Sequence, residues 1–89
     1  MIKITGNSNV NGHPVRAYDN CGKTLDRYTV VFMDQRERSG LFMALGMRAD
    51  GAFEHTTVMP GRHLGVRIPV DSLPERARHF LPRMLEQRP

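Results

Sequence analysis

An α+β fold, with an antiparallel sheet of four to five strands and one C-terminal amphipathic helix packed on one face, is predicted by three observations. Short runs rich in β-branched and aromatic residues recur along the chain. Clusters of Gly, Asn, Asp and Pro separate them, and a single apolar arc at helical spacing closes the sequence. The 89 residues make one domain, spanning 1–89, with no room for a separate cofactor module.

Met1–Thr5 alternates apolar and polar side chains before the polar run Gly6-Asn7-Ser8-Asn9, which predicts a short strand at the sheet edge. Pro14–Tyr18 is the next extended segment, and Asp19-Asn20-Cys21-Gly22 has the turn chemistry of a hairpin. Asp26–Met33 is the strongest strand. Tyr28, Val30 and Phe32 share one face while Val31 and Met33 make the other partly apolar, so this strand belongs in the middle of the sheet. The polar Asp34–Gly40 reads as a solvated connection. In Leu41–Met47 the residues Leu41, Met43, Leu45 and Met47 alternate with period two, which predicts a strand. A helix capped by Ser39 is the alternative, disfavoured because Gly46 weakens a helix interior by about 1 kcal/mol.

Residues 48–63 admit two readings. Asp50-Gly51 signals a two-residue hairpin, which would set Met47 opposite Glu54 and Leu45 opposite Thr56, a poor match of faces. An irregular loop over the whole stretch is the rival. Pro60-Gly61 marks a turn, and His63–Pro69 reads as the last strand with Leu64, Val66 and Ile68 on one face. The helix follows. Ser72 and Glu75 match a capping box, and Leu73, Ala77, Phe80, Leu81, Met84 and Leu85 fall in one apolar arc. Pro82 would cost a regular helix interior about 3 kcal/mol, so a kink near Arg78–Pro82 or an end at Leu81 is expected.

Two Lys and eleven Arg against nine acids give a formal charge of +4, which favours acidic partners only weakly. No run of cations occurs. The densest stretches are Arg36-Glu37-Arg38 and Arg76-Ala77-Arg78, each broken by another residue. A lone cysteine, Cys21, excludes a disulfide scaffold and fits a reducing cytosol. Neither a signal-peptide pattern nor an apolar stretch of about 18 residues is present, so a soluble intracellular protein with no membrane contact is expected.

Catalytic chemistry finds little support. Phosphate-loop, dinucleotide and nucleophile-elbow motifs are missing, and no cofactor is indicated. Histidines 13, 55, 63 and 79 are too widely spaced to declare a metal site. His55 and His63 could pair as acid and base, with Lys23 or Arg62 for transition-state charge, but no motif supports this and the chain reads as a non-enzyme. Cys21 has no adjacent base and reads as a bystander thiol. Asp26 is expected to meet Arg16 or Lys23 across the hairpin. The candidate partner or nucleic-acid surface is Arg36 and Arg38 on one connection, Arg62 and His63 on another, and Arg76 and Arg83 on the polar face of the helix. With two Tyr, four Phe and no Trp, mostly claimed by the core, a base-stacking platform is poor, and one helix supplies no helix-turn-helix frame. A self-assembling component would need the face of Val31, Met33 and Phe42 to stay open.

The run from Tyr18 to Phe32 (YDNCGKTLDRYTVVF), with Pro60–Ile68 (PGRHLGVRI) and Asp71–Pro74 (DSLP), resembles a group of small uncharacterised proteins carried by bacteriophages and other mobile elements. The likeness covers roughly residues 15 to 80. The group has Gly-Gly before the Lys, so Cys21 is a departure. The resemblance implies a mobile-element accessory protein in the host cytoplasm that binds a host protein or nucleoprotein complex, with inhibition of host defence, including CRISPR complexes, as one such role. Direct DNA or RNA binding through the Arg-rich turns is the alternative.

Overall fold

A computed structural model describes residues 9–10 and 12–86, with the side chains of Leu85 and Glu86 left out. The strand expected over Met1–Thr5 and the place of Leu85 in the apolar arc lie outside the described residues. The fold is α+β. Six strands form one antiparallel sheet: β1 (Asn9–Val10), β2 (His13–Asp19), β3 (Tyr28–Arg36), β4 (Phe42–Met47), β5 (Phe53–Val58) and β6 (Val66–Ile68), followed by the helix α1 (Glu75–Glu86). Strands β2 to β5 run as a meander, each paired with its neighbour in sequence. β6 returns to the far edge, where Ala17 pairs with Ile68 and Asp19 with Val66, while β1 pairs with the start of β2. The chain leaves β5 at the end of the sheet that carries the β3–β4 turn and enters β6 at the end that carries the β2–β3 loop, so residues 59–65 cross the whole sheet.

Strand alternation creates two apolar faces. On one, Val15, Ala17, Val30, Phe32, Leu45 and Met47 meet Val70, Leu73 and the helix residues Ala77, Leu81 and Met84. Each of the Val, Leu, Phe and Met side chains removed from water here contributes about 1.5–3 kcal/mol, which makes this the main core of a small domain. On the other, Tyr18, Val31 and Ala44 are buried, and Met33, Phe42, Val58 and Leu64 pack around them. Leu64 sits on the crossover, so that connection covers the second face and the surface a self-assembling sheet would need is partly occupied.

Several expectations are corrected. β3 does not stop at Met33 but continues through Asp34 to Arg36, into the stretch read as a solvated connection. Its register against β4 shifts between Val31 and Arg36, and the irregularity lets a polar segment stay in the ladder while Arg36 pairs with Phe42. The β4–β5 hairpin exists, but with three residues in its loop. Arg48 N–H donates to the Ala52 carbonyl at 2.7 Å, and Gly51 takes a φ of 96°. The extra loop residue moves the register by one, setting Phe53 opposite Met47 and His55 opposite Leu45, so apolar meets apolar at the hairpin mouth. The last strand is only Val66–Ile68; Arg62–Leu64 form a 3-10 turn, which sends Leu64 to the second face while Val66 stays 66% exposed.

Ser72 ends a second 3-10 turn (Val70–Ser72), so the expected capping box does not open α1. Instead the Pro74 carbonyl accepts from Ala77 and Arg78 at 3.0 and 3.3 Å, and the Glu75 carboxylate faces His79 at 3.4 Å. Nor does α1 end at Leu81; it runs through Pro82 to Glu86. The burial of Ala77, Leu81 and Met84 on one side outweighs the hydrogen bond that Pro82 cannot donate.

Candidate functional site

The β2–β3 loop, residues 20–27, is built by its own polar side chains. Cys21 and Gly22 both take positive φ, 60° and 85°, and the Lys23 N–H reaches the Asn20 carbonyl at 3.3 Å, closing a tight turn. Asn20 organises it. Its Oδ1 accepts from the backbone N–H groups of Gly22 and Lys23 at 2.8 and 3.1 Å, and its Nδ2 donates to Thr24 Oγ1 at 2.7 Å and the Asp26 carbonyl at 2.9 Å. Thr24 Oγ1 donates in turn to the Asp26 carbonyl at 3.0 Å.

Asp19 anchors the loop base. Its carboxylate takes a two-pronged grip from Arg27, Nε at 2.9 Å and a terminal nitrogen at 3.1 Å, and also accepts from the Cys21 N–H at 2.8 Å. The Arg27 hydrogen bonds, set against burial and helped by the Cys21 N–H, hold the Asp19 carboxyl below its ordinary value. Asp19, not Asp26, is therefore the paired carboxylate. Asp26 meets neither Arg16 nor Lys23; its carboxylate lies against Gly46 of β4, where an added Cβ would come 2.8 Å from Oδ2.

The crossover docks on this loop at Gly65. A Cβ built there would stand 2.3 Å from the Asp19 carbonyl oxygen and 2.7 Å from the Asn20 Cα, both backbone atoms. Only a glycine, here at φ 114°, permits that approach. The two loops then enclose a concavity of about 320 Å³ whose wall includes Asn20, Cys21, Lys23, Arg62, His63 and Val66. Among the described residues Lys23, Arg62 and His63 have no carboxylate partner; the guanidinium–carboxylate pairs are Arg27–Asp19 and Arg48–Asp50.

The six residues singled out in the sequence fall in three separate places. Arg62 and His63 are exposed on the crossover turn. Arg36 and Arg38 sit at the β3–β4 end, where Arg36 Nε donates to the Gly40 carbonyl at 3.3 Å and its guanidinium lies 5.8 Å over the Phe42 ring. Arg76 and Arg83 flank a concavity of about 430 Å³ on the helix side with Phe53, His79 and Phe80. There Phe53 and Phe80 pack ring on ring at 4.3 Å, and His55 meets Phe80 edge-on at 5.8 Å. No family model, curated protein or solved structure matches this chain.

His55 thus belongs to the helix side and His63 to the crossover on the opposite face, so the acid–base pair considered from the sequence does not form. Among the described residues no group of three His, Cys, Asp or Glu side chains could hold a metal ion, and no helix is long and apolar enough to cross a membrane. Sequence reasoning left Lys23 and Arg67 out of the candidate surface. Lys23 lines the concavity, and Arg67 pairs opposite Tyr18, which puts it by alternation on the face that Leu64 covers. The signal for Lys23 was its place in the Asn20–Thr24 turn; nothing local reveals that positions 20–24 meet 62–65.

Proposed function

We propose that this chain is a non-enzymatic binding protein of a phage or mobile element, which docks on a host protein or nucleoprotein complex through the surface where the β2–β3 loop and the crossover meet. One observation carries the reading. The two stretches that bear the resemblance to mobile-element proteins, Tyr18–Phe32 and Pro60–Ile68, are separated in the chain by the residues between Phe32 and Pro60, yet fold against each other and leave Lys23, Arg62 and His63 without internal partners. Side chains that stabilise nothing within the fold, held on loops made rigid by Asn20 and Asp19, suit recognition of another molecule. Arg62 brings a planar fork that pairs with carboxylate or phosphate in two-pronged fashion.

The test is affinity capture from a host lysate with the wild-type chain and with Lys23→Glu/Arg62→Glu, alongside an assay of phage plating or defence interference. A stoichiometric partner that the double variant loses, with the same loss in the plating assay, is the expected result. Equal capture by both chains, or no partner together with no plating effect, would overturn the reading.

A further inference from the structure

We infer that the concavity between the β2–β3 loop and the crossover takes a backbone phosphate of a nucleic acid strand, with Lys23 and Arg62 supplying the charge and His63 a further polar contact. This rests on the reading of these loops as the docking face and names the chemistry that the face receives.

The wall of the concavity is one-sided in its hydrogen bonding. Its acceptors are occupied internally: both oxygens of the Asp19 carboxylate by Arg27 and Cys21, and the Asn20 side-chain oxygen by Gly22 and Lys23. The groups left over are the Lys23 ammonium, the Arg62 guanidinium and the His63 ring, of which the first two only donate. A ligand rich in acceptors and bearing negative charge is the complement to that set.

Two further observations separate a polynucleotide from a lone anion or an acidic peptide. The concavity, at about 320 Å³, is larger than a bare anion needs, and the exposed Val66 forms an apolar part of its wall next to the cations, which suits a sugar or base joined to the phosphate. The positive charge also continues beyond the concavity. Arg67 stands opposite Tyr18 and Arg16 opposite Val31, so strand alternation puts both on the sheet face covered by the crossover, and neither has a carboxylate partner among the described residues. A track of cations follows a repeating phosphate backbone; isolated carboxylates of a peptide have no such continuity.

The experiment titrates the isolated full chain with three probes, hexathymidylate, hexaglutamate and inorganic phosphate, reading backbone amide shifts and the rate at which iodoacetamide alkylates Cys21, the single cysteine. Hexathymidylate is expected to shift the amides of residues 22–24 and 62–66 and to slow alkylation of Cys21. Lys23→Gln/Arg62→Gln, both exposed positions, is expected to bind at least about tenfold more weakly and to lower the slope of log affinity against log salt by about 0.7, the value for one phosphate contact on a single strand. Arg78→Gln, on the helix, is expected to stay within about twofold of wild type.

Shifts confined to other regions, hexaglutamate binding as tightly as the oligonucleotide, inorganic phosphate alone matching it, or an unchanged double variant would each overturn the assignment. A chain that ignores the oligonucleotide but still captures a host partner through Lys23 and Arg62 overturns the phosphate assignment and leaves the docking reading in place. Loss of both overturns both.

Discussion

Gly65→Ala tests the architecture of the candidate site more sharply than any charge change. An alanine there must keep φ near 114° with ψ near −158°, a region essentially confined to glycine that costs an L-residue about 1–3 kcal/mol, and must also resolve a contact of 2.3 Å with the Asp19 carbonyl oxygen. That neighbour is backbone in a paired strand, so relief requires β6 or the loop to move, an overpacking cost of about 1–3 kcal/mol. Gly51→Ala supplies the internal reference. Its φ is 96°, but its added Cβ would meet only Arg76 side-chain atoms, at 3.4 and 3.6 Å, so it incurs the backbone strain without the collision. The two variants should therefore differ by about 2 kcal/mol, which in a domain of this size lowers the melting temperature of Gly65→Ala by a further 8–16 °C or so. Amide exchange at Val66–Ile68 should accelerate in Gly65→Ala alone as β6 loosens from β2. Equal melting temperatures for the two variants, or protected β6 amides in Gly65→Ala, would refute the close approach and with it the assembly of the concavity.

Three further perturbations have defined outcomes. The Arg48 hydrogen bonds, with the Ala52 N–H, lower the Asp50 carboxyl from 3.8 to about 2, so its contribution is complete above pH 3.8 and disappears as pH falls through about 2. Asp50→Asn should melt below wild type near neutral pH and match it at about pH 2 in a thermal scan; a deficit independent of pH would contradict the pairing. Leu64→Ala removes the crossover's apolar contact with Tyr18, Val31 and Ala44, and should cost about 1–2 kcal/mol in urea unfolding and increase binding of a hydrophobic dye. Cys21→Gly relieves a non-glycine residue at φ 60° and should raise stability by about 0.5–1 kcal/mol, less than the full left-handed penalty because glycine loses more freedom on folding. A lower melting temperature for Cys21→Gly would count against that account.

The parts of the fold legible in the sequence are those set by near neighbours. The turn cluster after Tyr18 marked the end of β2, the density of β-branched and aromatic residues placed the core of β3, period-two alternation placed β4, and the helical arc of Leu73, Ala77, Leu81 and Met84 turned inward as expected. Where the outcome depended on a choice between similar local geometries, the sequence was ambiguous. One extra residue in the β4–β5 loop decides whether Met47 faces Glu54 or Phe53, and the gain from pairing Met47 with Phe53 is tertiary. Likewise the polar Asp34–Arg36 gives no alternation signal, because ladder bonds and the 2.6 Å contact between His13 and Asp34 keep it in the sheet. At the candidate site, Arg62 and His63 were readable as an exposed turn after Pro60-Gly61. Their meeting with Lys23 was not, since it follows from the close passage of Gly65 over Asp19, a contact between distant segments that no local pattern encodes.

The return of β6 to β2 also sets an order of events. Each hairpin of the meander joins segments adjacent in the chain, whereas the pairing of Ala17 with Ile68 closes a ring through nearly the whole sheet. The concavity is absent until that closure is made, so a nascent or partly opened chain presents Lys23 and Arg62 as separate charges on separate loops. A ligand that bridges the two loops would hold the ring shut, tying recognition to completion of the fold.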